Sequence, residues 1–212
     1  MKIIPPILLV FAMSTVTPHA VEQSKPEHVH RAKILRITGE IQQTPEYEVS
    51  GPRAKPTKPR QWIEIEAEVE VETTDPSEFI PELTANWFAV IKDKNGRSYR
   101  LDGETVFKNV RTSDKRVFLS AYIEPDTLER ITGKKRPSER DVEAFALTLS
   151  GPGILNDEKY GKDLVKATEH EGNKWWAEWK HGTLSDLIVS KSKTPFSTLW
   201  IDRYPSEKVS RR

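Results

Sequence analysis

The stretch QWIEIEAEVEVE, residues 61–72, decides the fold of this chain. From Ile63 to Glu72, apolar residues alternate without a break with glutamates. A period of two places the apolar side chains on one face of an extended strand and the carboxylates on the other, whereas a helix would scatter both sets around its circumference. Such alternation is typical of antiparallel sheets with one face on the core. The stretch therefore predicts a long antiparallel strand.

Other strands are predicted on both sides of this stretch. Apolar alternation predicts them over residues 33–41, 83–92, 97–101, 104–110, 117–124, 141–150 and 174–180. Between them, Asn95-Gly96 predicts a type I′ hairpin turn, because both central positions of that turn need positive φ. Asp102-Gly103 predicts a second turn, and the strands 104–110 and 117–124 are expected to pair. Pro125 at the start and Gly133 at the end predict one short helix.

These elements together favour an all-β fold. We predict an immunoglobulin-like antiparallel β-sandwich of about 7–9 strands with one short helix. A closed β-barrel is the alternative architecture. The connection over residues 42–60 holds several prolines and Gly51, so it is predicted to be an exposed loop.

Composition divides the chain into four parts. Residues 1–20 are predicted to be a signal peptide, because Lys2 is followed by an apolar run and Ala20 offers a small residue for cleavage. That run is too short and too interrupted by proline for a transmembrane helix. The remaining parts are a flexible segment (residues 21–32), the sandwich domain (residues 33–204) and a basic C-terminal tail (residues 205–212).

Charge and cysteine content restrict the class of protein. The chain carries 33 basic and 32 acidic residues, and loss of Lys2 with the signal leaves 32 of each. A balanced net charge provides no field that would attract nucleic acid or an anionic membrane. Since the chain has no cysteine, it forms neither disulfides nor thiolate metal sites, and packing alone must stabilise it. Export without disulfides favours a bacterial periplasm or cell surface.

The acidic strand face has two interpretations. It consists of Glu64, Glu66, Glu68, Glu70 and Glu72. Carboxylates two apart in a strand share a face and could bind Ca²⁺ or a basic partner. A straight ladder, however, does not wrap an ion as a calcium loop does, so we favour a solvated face neutralised by Arg36 and by lysines of neighbouring strands. No metal site or cofactor is predicted, since His28 and His30 lack a third ligand.

The candidate binding residues are basic or aromatic. Trp175, Trp176 and Trp179 either fill the core or form a carbohydrate-binding surface, because an exposed indole stacks on a sugar ring. Strand alternation would expose Trp176. The candidate partner-binding residues are therefore Trp176 and a basic loop tip formed by Arg53, Lys55, Lys58 and Arg60. The motifs of nucleophilic hydrolases are absent from the sequence, so we predict no catalytic residues and no enzyme activity.

The apolar segment over residues 194–204 is predicted to belong to the core. Its large side chains are expected to close the sandwich against the strand of Trp175: Phe196, Leu199, Trp200, Ile201 and Tyr204. Full burial of each stabilises a fold by about 1.5–3 kcal/mol. Truncation at Pro195 is therefore expected to unfold the domain.

The same segment, TPFSTLWIDRY, resembles the pilus-like protein family encoded beside type IV pilus-type assembly genes in verrucomicrobial bacteria. IQQTPEY (residues 41–47), TLER (residues 127–130) and Trp175-Trp176 extend the resemblance in matching order. It implies an exported immunoglobulin-like domain with envelope or pilus-type assembly proteins as partners and no catalytic residues. The chain differs from filament-forming pilins, because no long apolar helix follows Ala20.

Two functions of different class follow from these observations. The first is a non-enzymatic exported structural or interaction protein that resembles a component of a type IV pilus-like assembly. The alternative is a carbohydrate-binding module of the cell envelope that uses an exposed tryptophan.

Overall fold

Two sheets form a β-sandwich in the computed structural model, which describes residues 28–46, 58–171 and 174–208. The strands are β1 (His30–Gln43), β2 (Gln61–Thr73), β3 (Phe79–Lys92), β4 (Ser98–Arg111), β5 (Arg116–Ile123), β6 (Val142–Ser150), β7 (Val165–Ala167), β8 (Thr183–Leu184), β9 (Ile188–Ser190) and β10 (Ser206–Glu207). Sheet 1 has the order β1-β2-β5-β9 and sheet 2 the order β10-β4-β3-β6-β7, with β8 beside β4. The predicted all-β sandwich is confirmed, in preference to a barrel.

The strand β2 lies at the centre of the core, as its alternation predicts. Ile65, Ala67 and Val69 have no solvent exposure. Across the sandwich they meet the inner face of β3, where Leu83 and Trp87 are also fully buried. The interior between the sheets therefore supplies most of the apolar burial that stabilises the fold.

The strand β1 pairs with β2 along its whole length, with one irregularity at Leu35. Ile34 lies opposite Val69 and Arg36 opposite Glu68, so Leu35 is an extra residue. The extra residue shifts the alternation: Leu35 is half-buried, while Ile34 is buried. A sequence pattern cannot reveal such a bulge, because the bulge is defined by the partner strand.

The β3–β4 turn differs from the predicted two-residue type I′ turn. Gly96 has a φ of 80°, but Asn95 does not have positive φ. The loop closes through a bond from the amide of Asp93 to the carbonyl of Arg97 at 2.8 Å. The Asp93 carboxylate also accepts from the amides of Asn95 at 2.7 Å and Arg97 at 2.9 Å. An aspartate that bonds its own turn thus selects a wider loop with one left-handed glycine.

The second predicted turn, at Asp102-Gly103, is wrong. β4 runs through both residues, and the glycine serves a close approach: a Cβ on Gly103 would overlap the carbonyl oxygen of Ile188 in β9. The expected pairing of β4 with β5 is also wrong. β4 lies in sheet 2 and β5 in sheet 1, so the link between them crosses from one sheet to the other.

The short helix α1 (Pro125–Thr132) has the predicted bounds. Its Leu128 and Ile131 are buried at one end of the core. Gly133 ends it with a φ of 72° and donates its amide to the carbonyl of Glu129 at 2.8 Å. Within the described ranges, no helix combines the length and apolarity needed to cross a membrane.

Residues 174–180 form a helical turn instead of the predicted strand. The amide of Glu178 donates to the carbonyl of Lys174 at 3.0 Å, an i to i+4 bond. Such a turn brings Trp175 and Trp179 to the same side, where both pack on the outer face of sheet 2 over Val90. Trp175 and Trp179 are four residues apart, and this spacing fits one turn of a helix. The sequence pattern of this segment is therefore compatible with a helical turn as well as with a strand.

Candidate functional site

The residues after β9 form a strap, defined as residues 194–207, that crosses the outer face of sheet 1. It contains a short 3-10 turn at Ile201–Arg203 and ends in β10, which pairs with β4 at the edge of sheet 2. The carboxylate of Glu207 in β10 accepts from the amides of Lys191 at 3.0 Å and Ser192 at 2.9 Å, just after β9. The strap therefore joins the two sheets along one side of the sandwich.

Phe196 anchors the beginning of the strap. Its ring stacks on Tyr122 of β5 with 5.0 Å between centroids and meets the indole of Trp62 edge-on at 5.8 Å. Phe196 and Tyr122 are fully buried, and Trp62 nearly so. The prediction that this segment packs against Trp175 is wrong, because Trp175 covers sheet 2. The strap instead covers Trp62 of β2 and Tyr122 of β5, whose side chains point outward from sheet 1.

Arg203 anchors the end of the strap on the acidic face. Its guanidinium donates two hydrogen bonds to the Glu66 carboxylate, at 3.0 and 2.8 Å, and lies 3.8 Å above the ring of Phe118. The hydroxyl of Tyr204 donates to the same carboxylate at 2.7 Å. Burial alone would raise the pKa of Glu66, but the hydrogen bonds from Arg203 and Tyr204 outweigh it and hold that pKa below its usual value.

Glu64 is a buried carboxylate beneath the strap, with 6% of its surface exposed. It accepts hydrogen bonds from the Tyr122 hydroxyl at 2.5 Å and the Gln42 amide at 2.9 Å. The Tyr204 hydroxyl oxygen, whose single proton goes to Glu66, lies 3.3 Å away. Burial, together with the bond to Glu64, raises the pKa of Tyr122. Tyr122 therefore stays protonated and remains a donor to the carboxylate.

The rest of the acidic face is largely paired as well. Arg116 donates to Glu68 at 2.8 Å, and Arg31 lies 3.6 Å from Glu72. Of the five glutamates only Glu72 is exposed; Glu66, Glu68 and Glu70 are half-buried and Glu64 is buried. The expectation of a solvated face is thus wrong at the end that the strap covers. The expected neutralising contact from Arg36 is present, 4.0 Å from Glu68, and Arg116 and Arg203 are further cationic partners of the face. Glu70 lies opposite Lys33 in β1.

A cleft of about 430 Å³ opens between the strap and the outer face of β1. We call it the Trp200 cleft; it is lined by Arg36, Thr38, Glu40 and Gln42 of β1, Glu64 and Glu66 of β2, and Trp200, Arg203 and Tyr204 of the strap. Trp200 is 49% exposed and Ile201 64% exposed. The prediction that these two side chains belong to the core is therefore wrong, because the strap lies on the outer face of sheet 1 and not between the sheets.

The predicted basic tip is only partly within the described residues. Arg53 and Lys55 lie outside them, and Lys58 is exposed. Arg60 contacts α1, with its guanidinium 2.7 Å from Asp126 and 3.5 Å from Glu129. Arg60 is thus both exposed and paired with the helix, and its role in partner binding stays a prediction.

Trp176, the other candidate, is half-buried in the aromatic cluster on sheet 2. Its ring lies edge-on to Trp175 at 6.0 Å between centroids, and its carbonyl accepts from Arg100 at 2.6 Å. Trp200 presents more of its indole to solvent than Trp176 does. The structure thus places the more exposed indole on the opposite side of the sandwich.

His30, one of the two histidines considered as metal ligands, packs inside the fold. His30 is buried, and its Nδ1 lies 2.6 Å from the Thr73 hydroxyl. Burial lowers the pKa of this imidazole. In the part of the chain that the structure describes, no three His, Asp or Glu side chains are placed to hold a metal ion.

The fold and the cleft define a class: an antiparallel β-sandwich protein with a strapped outer face. Within that class, the chain belongs to the family whose model matches residues 23–211. A solved structure from Akkermansia muciniphila has the same fold, with a TM-score of 0.74 and 22% identity over 89% of this chain and 98% of that one. Both findings fit the resemblance to verrucomicrobial pilus-like proteins. Comparison with curated proteins gives no match.

Proposed function

We propose that the protein is a non-enzymatic, exported structural or interaction component of a pilus-like assembly in the bacterial envelope. The match of its family over residues 23–211 carries the proposal, since the resemblance associates that family with pilus-type assembly genes. Residues 1–20 serve as the export signal, and the folded domain works in the periplasm or at the cell surface.

The domain is of immunoglobulin type in this proposal. In sheet 1, the order β1-β2-β5 corresponds to strands A-B-E of an immunoglobulin domain. In sheet 2, the order β4-β3-β6-β7 corresponds to strands C′-C-F-G. This correspondence supports a domain type that many cell-surface proteins share.

The free edge of β1 is the surface that best suits a protein partner. At one end, the amide of Ile34 donates to the carbonyl of Asp163 at 2.9 Å, and at the other the amide of Ile41 reaches the Glu139 side chain at 3.3 Å. Between them, the outward amides of Ile37 and Gly39 have no partner among the described residues. An open stretch of strand edge accepts an added strand from another chain, which main-chain hydrogen bonds hold.

Site-specific photo-crosslinking in intact cells tests this proposal. A photoreactive residue replaces Gln43, exposed at the end of β1, and the control replaces Asn95 in the exposed β3–β4 turn. We expect a crosslink from position 43 to an envelope assembly protein and none from position 95. Equal crosslinks at both positions, or a protein that fractionates only with the cytoplasm, would contradict the proposal.

A further inference from the structure

We infer that the Trp200 cleft binds a neutral carbohydrate, with the indole of Trp200 as its stacking surface. The inference does not depend on the assembly role, because it concerns a different surface from the β1 edge. It rests on the exposure and fixation of Trp200, on the polar side chains across the cleft, and on the charge balance of the lining.

Trp200 is exposed yet firmly positioned. On one side of it Phe196 is buried against Tyr122, and on the other Arg203 bonds Glu66 through two contacts. The amide of Arg203 donates to the Trp200 carbonyl at 3.0 Å, and Trp200 has left-handed backbone with a φ of 51°. A bulky residue rarely takes this conformation, so the surrounding anchors must hold it. A fixed backbone at Trp200 lowers the conformational freedom that is lost when a ligand stacks on its indole.

The opposite wall of the cleft offers the hydrogen bonds that a sugar needs. Thr38, Glu40 and Gln42 alternate along the outer face of β1, so neighbouring members lie about 6–7 Å apart. The Thr38 hydroxyl and the Glu40 carboxylate have no hydrogen-bond partner among the described residues. A pyranose ring has an apolar face of C–H groups and a rim of hydroxyls that donate and accept. An indole on one side and a polar row on the other match both parts.

The charges of the lining favour a neutral ligand. Two arginines face three glutamates, for a formal balance of −1. Two of those glutamates are already satisfied: Glu66 by Arg203 and Tyr204, and Glu64 by Tyr122 and Gln42. The cleft therefore has no concentrated field for a polyanion or for a basic peptide. Its volume of about 430 Å³ lies within the roughly 300–1,000 Å³ of small-molecule sites.

A printed array of neutral, N-acetylated and sialylated oligosaccharides is the first test, followed by titration of the strongest array sugar against ¹⁵N-labelled protein. We expect binding to a neutral or N-acetylated sugar, with a shift of the Trp200 indole signal. Trp200→Ala should weaken binding at least tenfold, and Trp200→Phe, which keeps an aromatic face, should weaken it less. Trp176→Ala is the matched control and should leave binding unchanged.

Several results would overturn the inference. These are absence of binding across the array, binding confined to sialylated sugars, and unchanged affinity in Trp200→Ala. Should Trp200→Ala lose its cooperative melt, Thr38→Val replaces it, because that change removes a cleft hydroxyl and keeps the side-chain volume. Unaltered binding in Thr38→Val then counts against the site. A crosslink from position 200 to a protein partner in cells, with no sugar binding, would show that the cleft is a protein interface.

Discussion

Phe196→Ala tests whether the strap is part of the core or a covering that can be removed. The ring is 1% exposed and lies against Tyr122 and Trp62, which with it form a small core separate from the one between the sheets. Removing it leaves a cavity beneath the strap and uncovers two aromatic rings. Phe→Ala changes at buried sites cost about 3–5 kcal/mol, and the stacked and edge-on pairs lost here place this site toward the upper half of that range.

The free energy of unfolding measures the effect. We expect urea denaturation to show a loss of about 4–5 kcal/mol and thermal denaturation a fall of roughly 8–20 °C. Ile201→Ala is the matched control, because it removes an apolar side chain of the same strap that is 64% exposed. Its effect should stay below about 1 kcal/mol.

A clear result would refute the reasoning. If Phe196→Ala unfolds at the same urea concentration as the parent protein, the strap contributes nothing to the core. The same conclusion would follow from a chain truncated at Pro195 that keeps a cooperative melt at the parent temperature.

Three further predictions concern a close approach, a carboxylate and an aromatic cluster. Gly103→Ala should lower the free energy of unfolding, measured by urea denaturation, by at least about 2 kcal/mol, because a Cβ would overlap the backbone of β9. Gly96→Ala is the control: a Cβ there has open space but the backbone has positive φ, so the loss should be about 1 kcal/mol. Glu66 has a folded pKa below its unfolded value of about 4.5, so its contribution to stability is complete above that pH and is lost as the pH falls through the folded pKa. The difference in free energy of unfolding between the parent and Glu66→Gln should therefore shrink on acidification. Glu72→Gln, at the exposed end of the acidic face, is the control and should differ little from the parent. A difference for Glu66→Gln that stays constant with pH would count against this account. Trp175→Ala should lower the free energy of unfolding by about 3 kcal/mol, since it removes a buried indole from the outer face of sheet 2. Denaturation followed by circular dichroism measures this loss, and a stability close to that of the parent would contradict the burial of Trp175.

The elements that sequence alone predicts are those with a strong local pattern. β2 is specified by strict alternation, and α1 by Pro125 at its start and Gly133 at its end. In both cases, the residues that determine the element lie within it or directly beside it. The strand predicted over residues 117–124 also follows from local apolar alternation, and its Leu119 and Ala121 are buried in β5.

The features that sequence missed depend on partners far away in the chain. Gly103 has the composition of a turn, but its lack of a side chain serves the approach of β9. The outward Tyr122 gives no local sign that Phe196 will cover it, since the two meet only after both sheets have formed. The cleft was missed for the same reason: Trp200 and Thr38 line one cleft only because the strap returns over β1.

The strap also sets an order of events in the life of the chain. Trp62 and Tyr122 are synthesised long before Phe196, yet only Phe196 and its neighbours cover them. A chain that emerges N-terminus first therefore keeps both rings in contact with water until the strap is available. During that interval the polypeptide stays short of its final stability, which gives a chaperone or a translocation machine time to hold it unfolded.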